Sequence, residues 1–190
     1  AITLDAAGHI FVTENGNSRV QILDNNGNFL RKWGTLGSGN GQFNFPQGIE
    51  LDSAGNVYVT DRGNNRLQKF DSNGNFLTKW SVAGQTAGVG IDSANRIFVS
   101  NFSNPSVQVF TSTGVLITTF GSIGSGLGQF NLPHGVEFDK QGSIWVADWN
   151  NGRVQEFSIP NLWSWSFATN DGNAQSQTVT ITADDGDVAN

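Results

Sequence analysis

Few side chains in this 190-residue chain are equipped for chemistry, and their spacing narrows what that chemistry is. There is no cysteine, which excludes thiolate nucleophiles, thiolate metal ligands and disulfides. His134 stands in Pro133-His134-Gly135, and Gln47 occupies the matching place in Pro46-Gln47-Gly48. His9 lies in a turn segment and carries no signal. Glu137 and Glu50 each follow three residues later. Carboxylates brought to one wall would make an acidic lining able to hold a hard cation such as Ca2+ through oxygens. Glu14, Asp61 and Asp148 are each followed five residues on by an arginine, Arg19, Arg66 and Arg153. Across a tight turn a carboxylate can take asparagine amides and the guanidinium together, so these pairs read as turn clasps rather than as a catalytic group repeated along the chain. Asn101-Phe102-Ser103 is an N-glycosylation sequon, which makes Asn101 a glycosylation candidate and favours an extracellular or cell-surface location. Gly37-Ser38-Gly39-Asn40-Gly41 is glycine-rich, but no lysine or helix follows it, so it does not read as a phosphate loop. No catalytic residue is identified.

The segments that position these residues repeat. Leu4-Asp5-Ala6-Ala7-Gly8-His9-Ile10-Phe11-Val12-Thr13-Glu14 returns from Leu51 to Asp61, from Ile91 to Asn101 and from Phe138 to Asp148, at steps of 47, 40 and 47 residues. Periods of that length belong to propeller blades or helical repeats. Local chemistry decides for blades. Short β-branched and aromatic runs alternate with Gly, Asn, Asp and Ser clusters. Within the second unit, strands are predicted at about 48–52, 57–61, 66–71 and 76–80. Second strands carry three successive apolar residues, as in Ile10-Phe11-Val12 and Ile144-Trp145-Val146. Such runs require cover on both sheet faces. Fourth strands are expected to end in an aromatic column of Trp33, Trp80, Phe120 and Phe167. The fold class is therefore an all-β propeller of four-stranded antiparallel blades, at about 1–34, 43–80, 81–120 and 130–167. Residues 168–190 form a strand or hairpin tail or begin a fifth blade. Long glycine-rich links, 34–48 and 121–135, alternate with a short one and are candidate contact surfaces.

Charge excludes further classes. The 10 basic and 16 acidic residues leave a net charge of −6, and no basic run offers a phosphate-binding footprint, so no nucleic-acid partner is expected. No apolar run approaches the roughly 18 residues of a membrane-spanning helix. From the Ala1 start and the absence of methionine the chain is expected to be a processed or excised piece.

The string Phe43-Asn44-x-Pro46-x-Gly48-Ile49-x-Leu51-Asp52, continued by Gly55-Asn56-Val57-Tyr58-Val59-Thr60-Asp61 and Asn64-Asn65-Arg66-Leu67-Gln68-x-Phe70, closely resembles the NHL repeat. The resemblance runs through four units, with Asn65 and Gly152 where the family has a central histidine. It implies a propeller, commonly six-bladed, that binds proteins or RNA, acts as a scaffold, or in some members carries lyase activity. Peptide-amidating lyases of this superfamily take zinc-ligating histidines from Pro-His positions like that of His134. Here the other two such positions are Gln47 and Ala87. His134, Gln47, Glu50 and Glu137 are accordingly expected to line a channel as binding residues, with neither a zinc set nor another cofactor beyond the Ca2+ considered above. The expected function is a non-enzymatic extracellular binding or scaffold module with a protein or glycan partner, self-associating through blade edges or the C-terminal strand. The alternative is a propeller hydrolase or lyase with a metal in the central channel.

Overall fold

The computed structural model describes residues 1–158 and 166–169, with only the backbone of 158 and 166–169 described. Among them are four four-stranded antiparallel sheets, each meandering in chain order, and a short parallel pair, Ser122–Ile123 with Gln129–Phe130. The first blade comprises Ile2–Leu4, Ile10–Glu14, Arg19–Leu23 and Phe29–Trp33; the second comprises Pro46–Leu51, Val57–Asp61, Arg66–Phe70 and Phe76–Ser81. The third comprises Thr86–Ile91, Ile97–Asn101, Ser106–Phe110 and Leu116–Phe120; the fourth comprises Pro133–Phe138, Ile144–Asp148, Arg153–Ser158 and Ser166–Thr169. The chain is thus an all-β propeller arc, and its first strands lie against one another from blade to blade.

The hairpins are set by local chemistry. Asp52 Oδ1 accepts the amides of Ala54 and Asn56 at 3.0 and 2.8 Å, and Asp5, Asp24, Asp71, Asp92 and Asp139 do the same in their own turns. A carboxylate that collects amides two and four residues ahead closes the turn before any tertiary contact forms. The glycine of Pro-x-Gly serves a different need. A Cβ at Gly48 would lie 2.8 Å from Ala87 O on the next first strand, so only glycine lets these strands converge.

Blade faces meet in three junctions among the described residues. In the first, Phe11, Val20 and Ile22 pack on Ile49, Val57, Val59 and Phe70, with Phe43 of the connecting segment inserted. The second joins Tyr58 and Leu67 to Val89, Ile97, Val99 and Phe110. The third joins Phe98, Val107 and Val109 to Val136, Ile144, Val146 and Phe157. Each fully buried side chain of this size contributes roughly 1.5–3 kcal/mol. Hydroxyls tie the same junctions: Thr13 Oγ1 donates to Gln47 O at 2.7 Å, Thr60 Oγ1 to Ala87 O at 2.7 Å, and Ser100 Oγ to His134 O.

The expected two-sided cover is found where a blade has two neighbours. Val57–Asp61 and Ile97–Asn101 are buried at every position. At the ends of the arc it gives way to alternation, with Phe11 and Thr13 buried in Ile10–Glu14, and Ile144, Val146 and Asp148 buried in Ile144–Asp148. The aromatic column stands for three blades, Trp33, Trp80 and Phe120 meeting Phe70, Phe110 and Phe157 of the following blade at 5.6, 6.0 and 5.2 Å between ring centres. Phe167 does not extend it. Its backbone pairs with Phe157, the register position that Phe76 holds opposite Phe70. More residues separate the third and fourth strands in that blade, which offsets the strand. Ala168 and Thr169, read as tail, pair with Glu156 and Gln155. The readings of 170–190 lie outside the described residues.

Candidate functional site on the Pro-x-Gly face

First strands begin, and second strands end, on one face of the arc, where Pro46 pairs with Asp61 and Pro133 with Asp148. There Arg66 Nε donates to Asp61 Oδ2 at 2.7 Å, Asn64 and Gln68 donate to the same oxygen, and Asn44 N donates to Oδ1 at 2.7 Å. The guanidinium continues to the carbonyls of Ser38, Gly39 and Gln42. Asp148 and Arg153 repeat this with Asn131, Asn151, Ser125, Gly126 and Gln129. Each pair therefore holds its own hairpin and also the glycine-rich segment before it. Glu14 and Arg19 pair at 2.7 Å in a more open setting. The glycine-rich segments end in two exposed aliphatic tips, Leu36 and Ile123, at 71% and 73% exposure.

Asn101 occupies the register position of Asp61 and Asp148 and is fully buried. A glycan on this buried amide does not fit the folded blade, which counts against the glycosylation reading. The extracellular placement drawn from it has no other support among the described residues.

The channel residues divide into two groups. Glu50 Oε1 accepts Thr3 Oγ1 at 3.0 Å and the Leu51 amide at 2.9 Å. Burial raises its carboxyl, and those two bonds restrain the rise. Glu137 is exposed at the open end of the arc, yet the surrounding walls strip its hydration. That loss, with the Glu50 charge second, pushes its carboxyl up to about 7. Between them the third blade has Gly90, which supplies no side chain. Among the described residues no three of His, Asp and Glu converge as a metal set. Calcium takes six to eight oxygens, so a Ca2+ there would draw on these two carboxylates alone from side chains of this kind.

His134 and Gln47 belong to the upper rim. The imidazole is pressed edge to face between Phe102 and Trp149, 5.3 and 5.0 Å between ring centres. Burial, then the Arg62 charge, lowers its pKa, so at neutral pH it is uncharged. Its Nε2 and the Gln47 Oε1 are buried without a hydrogen-bond partner. Arg62 lies 4.6 Å over the Phe102 ring and reaches Gln85 Oε1 at 3.2 Å. A cleft of about 410 Å3 opens beside Arg62, lined by Asn15, Phe45, Gly63 and Gln85. Arg62, Phe102, His134 and Trp149 thus form one row across three blades, with Trp149 62% exposed. Sequence reasoning found His134 and missed its neighbours. The signal was available: the residue after the second strand is Asn15 in the first unit but Arg62, Phe102 and Trp149 in the others.

Two segments, 43–70 and 130–157, match the NHL repeat. They are the second and fourth units. Over 37 residues the chain is 49% identical to human NHL repeat-containing protein 3, a match that spans 20% of this chain and 11% of that protein. Solved structures resemble it throughout. Virginiamycin B lyase from Staphylococcus aureus aligns over 96% of this chain and 70% of its own, at TM-score 0.66 and 16% identity. A gluconolactonase from Xanthomonas campestris aligns over 96% and 62%, at 0.63 and 15%. A WD40-repeat structure aligns over 91% and 51%, at 0.70 and 13%. At such identities the likeness is one of fold. No helix among the described residues is long and apolar enough to cross a membrane.

Proposed function

We propose that this chain, a β-propeller arc whose second and fourth blades match the NHL repeat, is a non-enzymatic binding module whose contact surface is the Pro-x-Gly face, with a protein or glycan as partner. The observation that carries this reading is the row Arg62, Phe102, His134 and Trp149. Stacked planar groups with one exposed end present apolar area beside polar tips, which suits a sugar ring or a peptide segment. The unpartnered His134 Nε2 and Gln47 Oε1 supply hydrogen-bonding capacity at the same rim. Leu36 and Ile123 extend the surface outward on segments braced by Arg66 and Arg153, so contact costs little ordering.

A second reading, a hydrolase or lyase working in the channel, is favoured by one feature. The Glu137 carboxyl near 7 matches proton transfer at neutral pH. Probing glycan and peptide arrays with the protein, with and without EDTA, separates the two. The binding-module reading expects retention that EDTA leaves unchanged and no turnover of the retained compound. Stoichiometric bound metal together with turnover would overturn it in favour of the channel enzyme.

A further inference from the structure

Arg62 is a guanidinium that no carboxylate answers, and we infer that the ligand of the Pro-x-Gly face is an acidic glycan whose carboxylate seats on it. This rests on the binding-module reading above and narrows it to one ligand class. Arg19, Arg66, Arg96 and Arg153 each give Nε to a carboxylate at 2.8 Å or less. Asp61, the chain neighbour of Arg62, and Glu14, beside Asn15, are already held by Arg66 and Arg19. Among the described residues Arg62 has no such partner, in a chain of net charge −6.

The contacts that hold Arg62 leave one edge of its fork open. The Phe102 ring lies 4.6 Å from the guanidinium carbon, and Gln85 Oε1 accepts Nε and Nη2 at 3.3 and 3.2 Å. Nη1 and the second hydrogen of Nη2 meet no described acceptor. That edge can take a carboxylate through two parallel bonds. A fork fixed before the ligand arrives loses less freedom on binding. With His134 uncharged at neutral pH, the row carries one positive charge, which matches a carboxylate rather than a doubly charged phosphate.

The cleft beside Arg62 favours a sugar over a peptide. Its volume of about 410 Å3 lies in the range of small-ligand sites. Asn15 and Gln85 line it with planar amides, which both donate to and accept from hydroxyls. Phe45 adds an apolar ring, 55% exposed, and Trp149 lies 6.4 Å from Phe102 between ring centres. Aromatic rings beside polar tips fit the apolar face and hydroxyl edge of a sugar. An extended peptide that adds to a sheet edge binds through its main chain, and main-chain groups bordering this cleft are already used. Gly63 N donates to Asn44 O and Phe102 N to Gln85 O, both at 2.8 Å, and Arg62 O accepts Asn65 N at 3.2 Å.

An array of uronate oligosaccharides in several linkages, each beside its carboxyl-reduced form and with pentaglutamate peptide alongside, tests this. Wild type, Arg62→Gln and Trp149→Ala are compared, and unchanged circular dichroism confirms that the variants fold. Wild type is expected to hold a uronate about tenfold more tightly than its reduced form, as a charge-assisted hydrogen bond provides. That margin should shrink as salt rises from about 0.1 to 1 M. Arg62→Gln is expected to bind both forms equally, at the wild-type affinity for the reduced form. Trp149→Ala is expected to weaken both and keep the margin. A wild type that holds both forms equally, or an Arg62→Gln variant that keeps the margin, would overturn the inference and leave the binding-module reading standing. Retention of pentaglutamate alone would overturn it in favour of an acidic peptide on the same face. An array that retains nothing would overturn it too, and the binding-module reading falls with it only if the broader glycan and peptide arrays also stay blank.

Discussion

Single residues separate structure from chemistry in this chain. Asp61 is fully buried and gathers Arg66, Asn64, Gln68 and the Asn44 amide. Asp61→Ala leaves a buried guanidinium uncompensated, and denaturant unfolding should show a loss of about 3–5 kcal/mol. Glu14→Ala, at a less buried version of the same pair, should cost less, about 1 kcal/mol. Gly74 has φ +86°, and a Cβ there would lie 2.7 Å from the Trp33 ring of the preceding blade, whereas Gly55, at φ +80°, faces open space. Both alanine substitutions incur the left-handed strain of roughly 1–2 kcal/mol, so Gly74→Ala should be the more destabilising by its clash, read as the lower Tm. Glu137 carries the pH signature. Its folded pKa is raised from 4.5 to about 7. The folded state thus holds a proton that the unfolded state has released, and the stability this gives is full below 4.5 and lost as pH rises through 7. Glu137→Gln should gain in Tm relative to wild type between pH 5 and 8; an unchanging difference would contradict the shift.

At the scale of elements, most of the fold was legible. The steps of 47, 40 and 47 residues between Asp5, Asp52, Asp92 and Asp139 fall at the same turn of each blade, because an Asx turn depends only on residues within four positions. Continuous apolar runs such as Val57-Tyr58-Val59 marked two-sided burial, because a strand sealed by neighbours has no wet face. What escaped the sequence needed three dimensions. Asn101 looked exposed as a sequon, yet register places it with Asp61. Phe167 looked like a column residue by spacing, yet spacing does not fix register once the connecting segment lengthens. The row from Arg62 to Trp149 joins residues of three units whose proximity exists only after the blades stack. The glycine-rich segments looked like free contact loops, but Arg66 and Arg153 hold their carbonyls. Hydrogen exchange should therefore show amides of 36–43 protected in wild type and released in Asp61→Ala, while those of the short link around Val82 stay unchanged.

On the scale of the whole molecule, one repeated junction organises both the core and the surfaces. Where blades meet, aromatic and aliphatic side chains are sealed. In the first and fourth blades the same positions are less sealed, with Ile2 at 65% and Val154 at 47% exposure. The Pro-x-Gly face is built differently, from turn residues that the core does not need, and this freedom allows Arg62, Phe102 and Trp149 to replace the asparagine of the first blade. The fold is shared with enzymes and with a WD40-repeat structure, so architecture does not choose among activities, and the proposed binding role is placed on this face. The most direct measurement is the Kd for an array-identified ligand, compared among wild type, Trp149→Ala and Leu77→Ala, the last an exposed control on the outer strand of the second blade. We predict a loss of at least tenfold, about 1.4 kcal/mol, for Trp149→Ala and none for Leu77→Ala. Equal affinities for wild type and Trp149→Ala would contradict the account.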